Sequence, residues 1–225
     1  IDQARELATA MVEIGRAMGK GVHALLTAMD QPLGRAVGNG VEVAESIACL
    51  RGEGPADLME VTYALGAEML LLAEVETDLT SARERLEKTV SDGSALAKFG
   101  EIVAVQGGNA RVIDDPLGIL PQAAQQVPLV ASRAGIVQDV DAMEVALAAL
   151  RLGAGRATAE DAVDPAVGIT ELVKVGEAVE KGQTLAVVHA NADESLLVAT
   201  TQLRDGIVVG DTQVATPPLI AERIA

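Results

Sequence analysis

Aromatic residues are almost missing from this chain: Tyr63 and Phe99 are the only two in 225 residues, and there is no tryptophan. Proteins that hold single-stranded nucleic acid stack bases on aromatic rings, and two rings build no such platform. Basic charge is also scarce. With 17 Lys and Arg against 33 Asp and Glu, the net charge of −16 repels a phosphate backbone and excludes nucleic acid as a partner. Solubility is the plain reading of that acidity. A single cysteine, Cys49, rules out an intramolecular disulfide and a thiolate metal cluster. It falls in a helical pattern, where a buried, inert thiol is expected. Long apolar runs are lacking too. The run at residues 69–73 is closed by Glu68 and Glu74, far short of the ~20 residues that span a bilayer. No basic-then-apolar leader is visible, so neither membrane insertion nor export is expected. A reducing cytoplasm fits.

What remains is the composition of a globular protein, 49% hydrophobic and 22% charged. Its length suits one large domain or two modest ones. The chain opens Ile1-Asp2-Gln3-Ala4, which reads as a fragment, a processed chain or an incomplete sequence.

Leu7, Met11, Ile14 and Met18 recur at helical spacing, predicting an amphipathic helix over 2–20 that stops at Gly19 and Gly21. Residues 22–26 are short and apolar on both faces, as buried parallel strands are. A long loop punctuated by Gly and Pro follows, and then a helical pattern at Val43, Ile47 and Leu50. In α/β proteins such loops sit where ligands bind, at the carboxyl ends of strands. From 39 to 106 the pattern is almost wholly helical. One helix opens at Pro55, with Leu58, Val61, Leu65 and Met69 on one side. A charged surface helix is expected over 81–90, and another carries Leu96, Phe99, Ile102 and Val103.

Periodicity fades from 114 to 128, where three prolines fall, and a domain boundary is placed there. Beyond it come short β-like runs at 129–131, 135–140, 169–173, 185–189 and 207–209. Two helices interrupt them. The first starts at Asp141 with Glu144 as a capping box, and Met143, Leu147 and Leu150 are expected as its buried face. The second spans 193–203. Strands and helices out of strict alternation indicate a small α+β domain.

Few residues invite chemistry. His23 and His189, the only histidines, each sit inside an apolar run, which favours structural roles over catalytic ones. No Ser-His-Asp ordering or nucleophile elbow is present. The Gly-rich stretches at 34–40 and 153–156 lack the Lys-Ser or Lys-Thr of a P-loop, and tight turns explain them. The first leads into a helix that carries Glu45, and all-oxygen surroundings of that kind suit a hard cation. The turns at 175–177 and 181–183 give a second reading, a non-catalytic binding module with a biotinyl- or lipoyl-like hairpin. Lys181, followed by Gly182 and Gln183, lacks the setting of a modified lysine.

Several motifs fall in one order: Leu7-Ala8 with Met11-Val12, Gln31-Pro32-Leu33-Gly34, Leu50-Arg51-Gly52-Glu53-Gly54-Pro55, Leu152-Gly153-Ala154-Gly155-Arg156-Ala157, Asp164-Pro165-Ala166-Val167-Gly168-Ile169, and the hairpin from Lys174 to Gly182. In that order and spacing the chain resembles the thymidine and pyrimidine-nucleoside phosphorylases over essentially its whole length. The resemblance implies an α/β fold: a helix-rich, C-terminal part of the phosphorylase α/β domain (1–115), a linker (116–127), and a small hammerhead-like α+β domain (128–225). Such enzymes are cytoplasmic homodimeric pentosyltransferases that cleave a pyrimidine nucleoside with phosphate, giving the base and a pentose 1-phosphate.

Their phosphate loop, in a Lys-x-Ser-Thr-Gly-Gly setting, and their base-holding Arg, Ser and Lys have no match here, nor does the dimer-forming helical domain. The chain alone is therefore expected to be inactive, with no catalytic or substrate-binding residue of its own. One family site does map. A potassium ion would take main-chain carbonyls of Leu33 and Ala36 and the carboxylate of Glu45, with its remaining ligands on the phosphate loop. No organic cofactor is implied. Anthranilate phosphoribosyltransferases lack the small C-terminal domain, and archaeal nucleotide phosphorylases differ around Gln31-Pro32. Thymidine and uridine both stay open as substrates.

Overall fold

The computed structural model describes residues 1–156 and 158–225, leaving Ala157 at the end of the 152–157 motif outside the described residues. Chain order begins α1 (Asp2–Ala17), β1 (Ala24–Thr27), β2 (Val37–Gly38), α2 (Gly40–Leu50), α3 (Ala56–Leu72), α4 (Leu79–Ser91) and α5 (Ser94–Val105). A 3-10 turn (Ala110–Ile113) and α6 (Pro116–Ile119) follow. Then come β3 (Gln125–Val130), β4 (Gly135–Val140), α7 (Ala142–Leu152), β5 (Gly168–Thr170), β6 (Ala178–Val179), β7 (Thr184–Ala190), α8 (Asp193–Gly206), β8 (Ile207–Gly210) and β9 (Ile220–Ile224). Helices crowd the first half and small sheets the second, the α/β organisation expected. Among the described residues, no helix is long and apolar enough to cross a membrane.

Spatial neighbours divide the chain into two units that interleave along the sequence. The first takes residues 1–28, 56–94 and 217–225, and the second 29–55 and 95–216. This division runs differently from the expected cut at 116–127. That segment holds α6 and the start of β3, whose residues pair with β7 inside the second unit. Residues 29–55 join the same unit because β2 pairs with β5.

In the first unit, β1 does not find the parallel neighbour its two-sided apolar pattern predicts. It pairs antiparallel with β9, Leu25 opposite Arg223 and Leu26 opposite Glu222. Helix α1 also presents an unexpected face. Ala8 and Val12 are buried, whereas Leu7, Met11, Ile14 and Met18 are 63%, 59%, 61% and 71% exposed. The small side chains allow close approach, and nothing among the described residues covers the larger ones. In α3 the buried positions are Val61, Ala67 and Glu68, while Leu65 and Met69 are exposed. Glu68 faces inward because His23 and Arg223 satisfy its charge there. Helix α4 is a surface helix as expected, with only Ala82 buried.

The second unit carries two antiparallel sheets, in strand order β2-β5-β7-β3 and β6-β4-β8. Central strand β7 is almost continuously apolar, and the core around it includes Leu129, Val137, Ile169, Leu172, Val188 and Leu203. Asp141 caps α7 as expected, accepting from the amides of Met143 at 2.8 Å and Glu144 at 3.1 Å. The reciprocal half of the capping box is not made: the Asp141 amide donates to the Gly206 carbonyl, and Glu144 accepts from Gln202. The buried face of α7 is also shifted, to Val145, Ala148, Ala149 and Leu152, with Met143 exposed. A face built on two alanines lets α7 lie close against α8, where Ala199 and Leu203 are buried, and close packing of small residues outweighs the larger side chains in setting the rotation.

Candidate functional site

The loop from Met29 to Asn39 is held along most of its length. At its far end, β2 pairs with β5 through two facing glycines, Gly38 and Gly168. A side chain on either would collide with the opposite backbone: a Cβ on Gly38 would stand 2.9 Å from the Val167 carbonyl oxygen, and one on Gly168 2.7 Å from that of Val37. Only glycine permits this approach. Asn39, just before α2, donates through Nδ2 to the Ala154 carbonyl at 2.7 Å, so the Gly-rich turn at 153–156 buttresses the same loop.

The loop's middle meets the turn between β5 and β6. Lys174 Nζ donates to the Pro32 carbonyl at 2.5 Å, and the Val175 amide donates to Gln31 Oε1 at 3.0 Å. Arg35 forks onto the Glu177 carboxylate and donates to the Leu172 carbonyl at 3.0 Å. Burial disfavours the Glu177 carboxylate, but the Arg35 hydrogen bond, the Lys174 amide and both positive charges outweigh it and hold its pKa below the usual range.

Sequence-expected site residues gather at this loop. Glu45, on the second turn of α2, accepts from the Arg35 amide at 2.8 Å. Its carboxylate is thereby brought to the turn that Leu33 and Ala36 flank. Ala36 is buried and Leu33 is 40% exposed. Among the described residues, no group of three or more His, Cys, Asp or Glu side chains is arranged to hold a metal. Any cation here would depend chiefly on backbone oxygens.

In the sequence Gln31 and Lys174 stand only as parts of motifs, and Arg35 and Glu177 only as parts of a Gly-rich stretch and a turn. Nothing local pairs them. The one signal is charge complementarity between a loop Arg and a turn Glu more than 140 positions apart, which the sequence cannot pair by itself.

The other candidates make structural contacts. His189 is buried, its Nε2 2.8 Å from Thr170 Oγ1; burial lowers its pKa, against a smaller opposing pull from Glu171, keeping the ring neutral near pH 7. It borders a cavity of about 390 Å³ with Glu171, Gln122 and Gln126. In the first unit, His23 Nδ1 lies 2.6 Å from Glu68, which Arg223 also grips. Those three groups are committed to one another. Cys49 is half-buried, less enclosed than expected. Lys181 stands in the tight turn at 180–183, where Gly182 takes a φ of +87°.

Residues 1–96 match the glycosyl transferase family a/b domain, and residues 136–210 match the pyrimidine nucleoside phosphorylase C-terminal domain. The pyrimidine-nucleoside phosphorylase of Geobacillus stearothermophilus is 44% identical over 225 residues, covering 100% of this chain and 52% of that protein. The chain belongs to the pyrimidine-nucleoside phosphorylase family. Its relative of the same name in Bacillus subtilis is 47% identical over 192 residues, 85% of this chain and 44% of that protein. In Staphylococcus aureus (strain COL) the figure is 40% over 220 residues, 98% of this chain and 50% of the other. The chain thus spans about half the length of the curated relatives it matches. A phosphorylase C-terminal domain over 136–210 leaves the carrier-hairpin reading of Lys181 without support.

Proposed function

We propose that this chain is a portion of a cytoplasmic, homodimeric pyrimidine-nucleoside phosphorylase, a pentosyltransferase that converts a pyrimidine nucleoside and phosphate into the free base and a pentose 1-phosphate. The observation that carries the reading is the pairing, in one chain, of an a/b transferase domain and a phosphorylase-specific C-terminal domain, with 44% identity across all 225 residues. The chain supplies a C-terminal part of the α/β domain and the small C-terminal domain. Bond cleavage needs donors aimed at the leaving base and the attacking phosphate, and the motifs that hold them elsewhere in the family have no counterpart here. The 225 residues alone are inactive on this reading.

Potassium is the cation proposed for the loop, held by the carbonyls of Leu33 and Ala36 and the carboxylate of Glu45. The donor set supports it: hard oxygens, one formal negative charge and a carboxylate already drawn to the loop by the Arg35 amide. When bound, the ion supplies a fixed positive charge that helps to position phosphate. Full-length protein incubated with uridine or thymidine should release free base only when phosphate is present. Absence of phosphate-dependent release from either nucleoside would refute the assignment. Glu45→Gln should raise the phosphate KM and abolish the response to potassium. An unchanged response would return Glu45 to a role in loop order alone.

A further inference from the structure

The turn that receives the loop is itself firmly built. Gly176 adopts a φ of +92°, which glycine alone takes without strain. Its amide donates to the Val137 carbonyl at 2.8 Å, and the Val137 amide donates back to the Glu177 carbonyl at 2.9 Å. Val137 and Leu172 are fully buried. The turn is therefore an extension of the core. The loop, by contrast, has no regular structure from Ala28 to Ala36. It borrows order from the turn at four points: Gln31 from the Val175 amide, Pro32 from Lys174, Arg35 through its side chain from Glu177 and the Leu172 carbonyl, and Arg35 through its own carbonyl from the Leu172 amide at 3.2 Å. These contacts fall at Gln31, Pro32 and Arg35, interleaved with Leu33 and Ala36.

We propose that the Lys174–Glu177 turn of the C-terminal domain is a positioning element for the 31–36 loop, with Lys174, Glu177, Gln31 and Arg35 as positioning residues that set the direction of the Leu33 and Ala36 carbonyls. The small domain then has a task in catalysis without touching substrate: it holds the loop proposed to carry the cation that helps to position phosphate. Two of the four contacts are charge-assisted, and such bonds are shorter and stronger than neutral ones. This inference rests on the phosphorylase reading only for its catalytic consequence. The clasp itself stands on the distances above.

Amide hydrogen exchange on the 225-residue chain tests the clasp directly. In the Lys174→Met/Glu177→Gln double variant, exchange across residues 33–38 should quicken by about tenfold, while α7 and α8 keep their protection. Gln31→Ala removes a contact from the loop side and should quicken the same amides to a lesser degree. Lys174→Arg, which keeps a cation at Pro32, should retain most of the protection. Loop exchange unchanged in both the double variant and Gln31→Ala would overturn the proposal, as would loop and α7 exchange rising together in both. In full-length enzyme, the double variant should raise the phosphate KM by about tenfold with kcat within about twofold. Faster loop exchange beside an unchanged phosphate KM would overturn the positioning role and leave a structural clasp. A wild-type enzyme with no phosphorolysis would refute the functional assignment instead, and the exchange result would still decide the clasp.

Discussion

Val137, Val140, Val145, Ile169, Leu172 and Leu203 in the second unit are all completely buried, whereas in the first unit only Ala82 reaches that state, with Val12 next at 2% exposure. The first unit carries more of the ion pairs. Arg223 closes on Glu68, Arg83 bridges Glu60 and Glu87, Arg85 meets Glu76, and Arg5 meets Glu222. One unit is held by apolar packing, which is short-ranged and not weakened by ionic screening. The other relies more on charge, which salt and acid both weaken. A region with that balance is marginal by itself, because exposed ion pairs contribute little each.

The contrast can be tested with the chain's own probes. Tyr63, the only tyrosine, lies in α3 of the first unit with the Arg83 guanidinium 5.4 Å from its ring centre, so tyrosine emission follows that unit alone. Far-ultraviolet dichroism follows both. Urea unfolding should show the tyrosine transition ahead of the final loss of dichroism. Coincident transitions would show that the two units unfold as one, and that the difference in burial has no energetic counterpart. The largest single effect is expected from Leu203→Ala, about 2–5 kcal/mol, since the side chain is fully enclosed between α8 and the core. It should shift the late dichroism change and leave the tyrosine transition in place.

Glu68→Gln comes next and acts on the other unit. It leaves Arg223 and His23 without their anion, at a cost of about 2 kcal/mol, below the ~3–5 of a fully enclosed pair because Arg223 is partly exposed. The sign of the acid response follows from the pKa. The Arg223 hydrogen bond holds the Glu68 carboxyl below its ordinary value, outweighing burial, with His23 assisting. Its contribution is therefore present above the unfolded carboxylate pKa of about 4.3 and is lost as pH falls through the lower folded value. Tyrosine-monitored stability should drop in that acid window in the wild type, and Glu68→Gln should flatten this part of the drop. Asp141→Ala, which removes two accepted amides at the start of α7, should cost about 1 kcal/mol in the dichroism transition alone.

Much of the second unit was legible in the sequence for physical reasons. The 135–140 strand, the α7 cap at Asp141 and the α8 helix follow from local pattern and local hydrogen bonding. The rotation of α7 was not legible, because two alanines facing α8 outweigh Met143, and periodicity counts size in place of fit. Glu68 was hidden for a related reason: an acidic residue reads as a surface position unless its distant partners, His23 and Arg223, are known. The parallel setting expected of β1 failed because pairing belongs to the partner, and β9 lies nearly 200 positions away. At the candidate site, Glu45 and the glycine loop could be read from the chain, but the clasp from Lys174 and Glu177 could not. It is purely tertiary.

The smallest effect is predicted where the sequence pattern was strongest. Leu7, Met11, Ile14 and Met18 form the apolar stripe of α1, and a stripe at that spacing would ordinarily mark a buried face. Here Leu7 is 63% exposed and Met11 59% exposed. Little apolar area is lost from contact when either is shortened, and alanine is the better helix former. Leu7→Ala should therefore change the tyrosine transition by less than ~0.5 kcal/mol, against the several expected for Leu203→Ala. Dye binding to exposed apolar surface should fall in the same variant, since the stripe offers the dye a contiguous patch. A cost near that of Leu203→Ala would mean that the stripe is covered in solution, by self-association if the cost grows with protein concentration. In that event the first unit would owe its stability to apolar burial after all, and the contrast between the two units would fail at its clearest point.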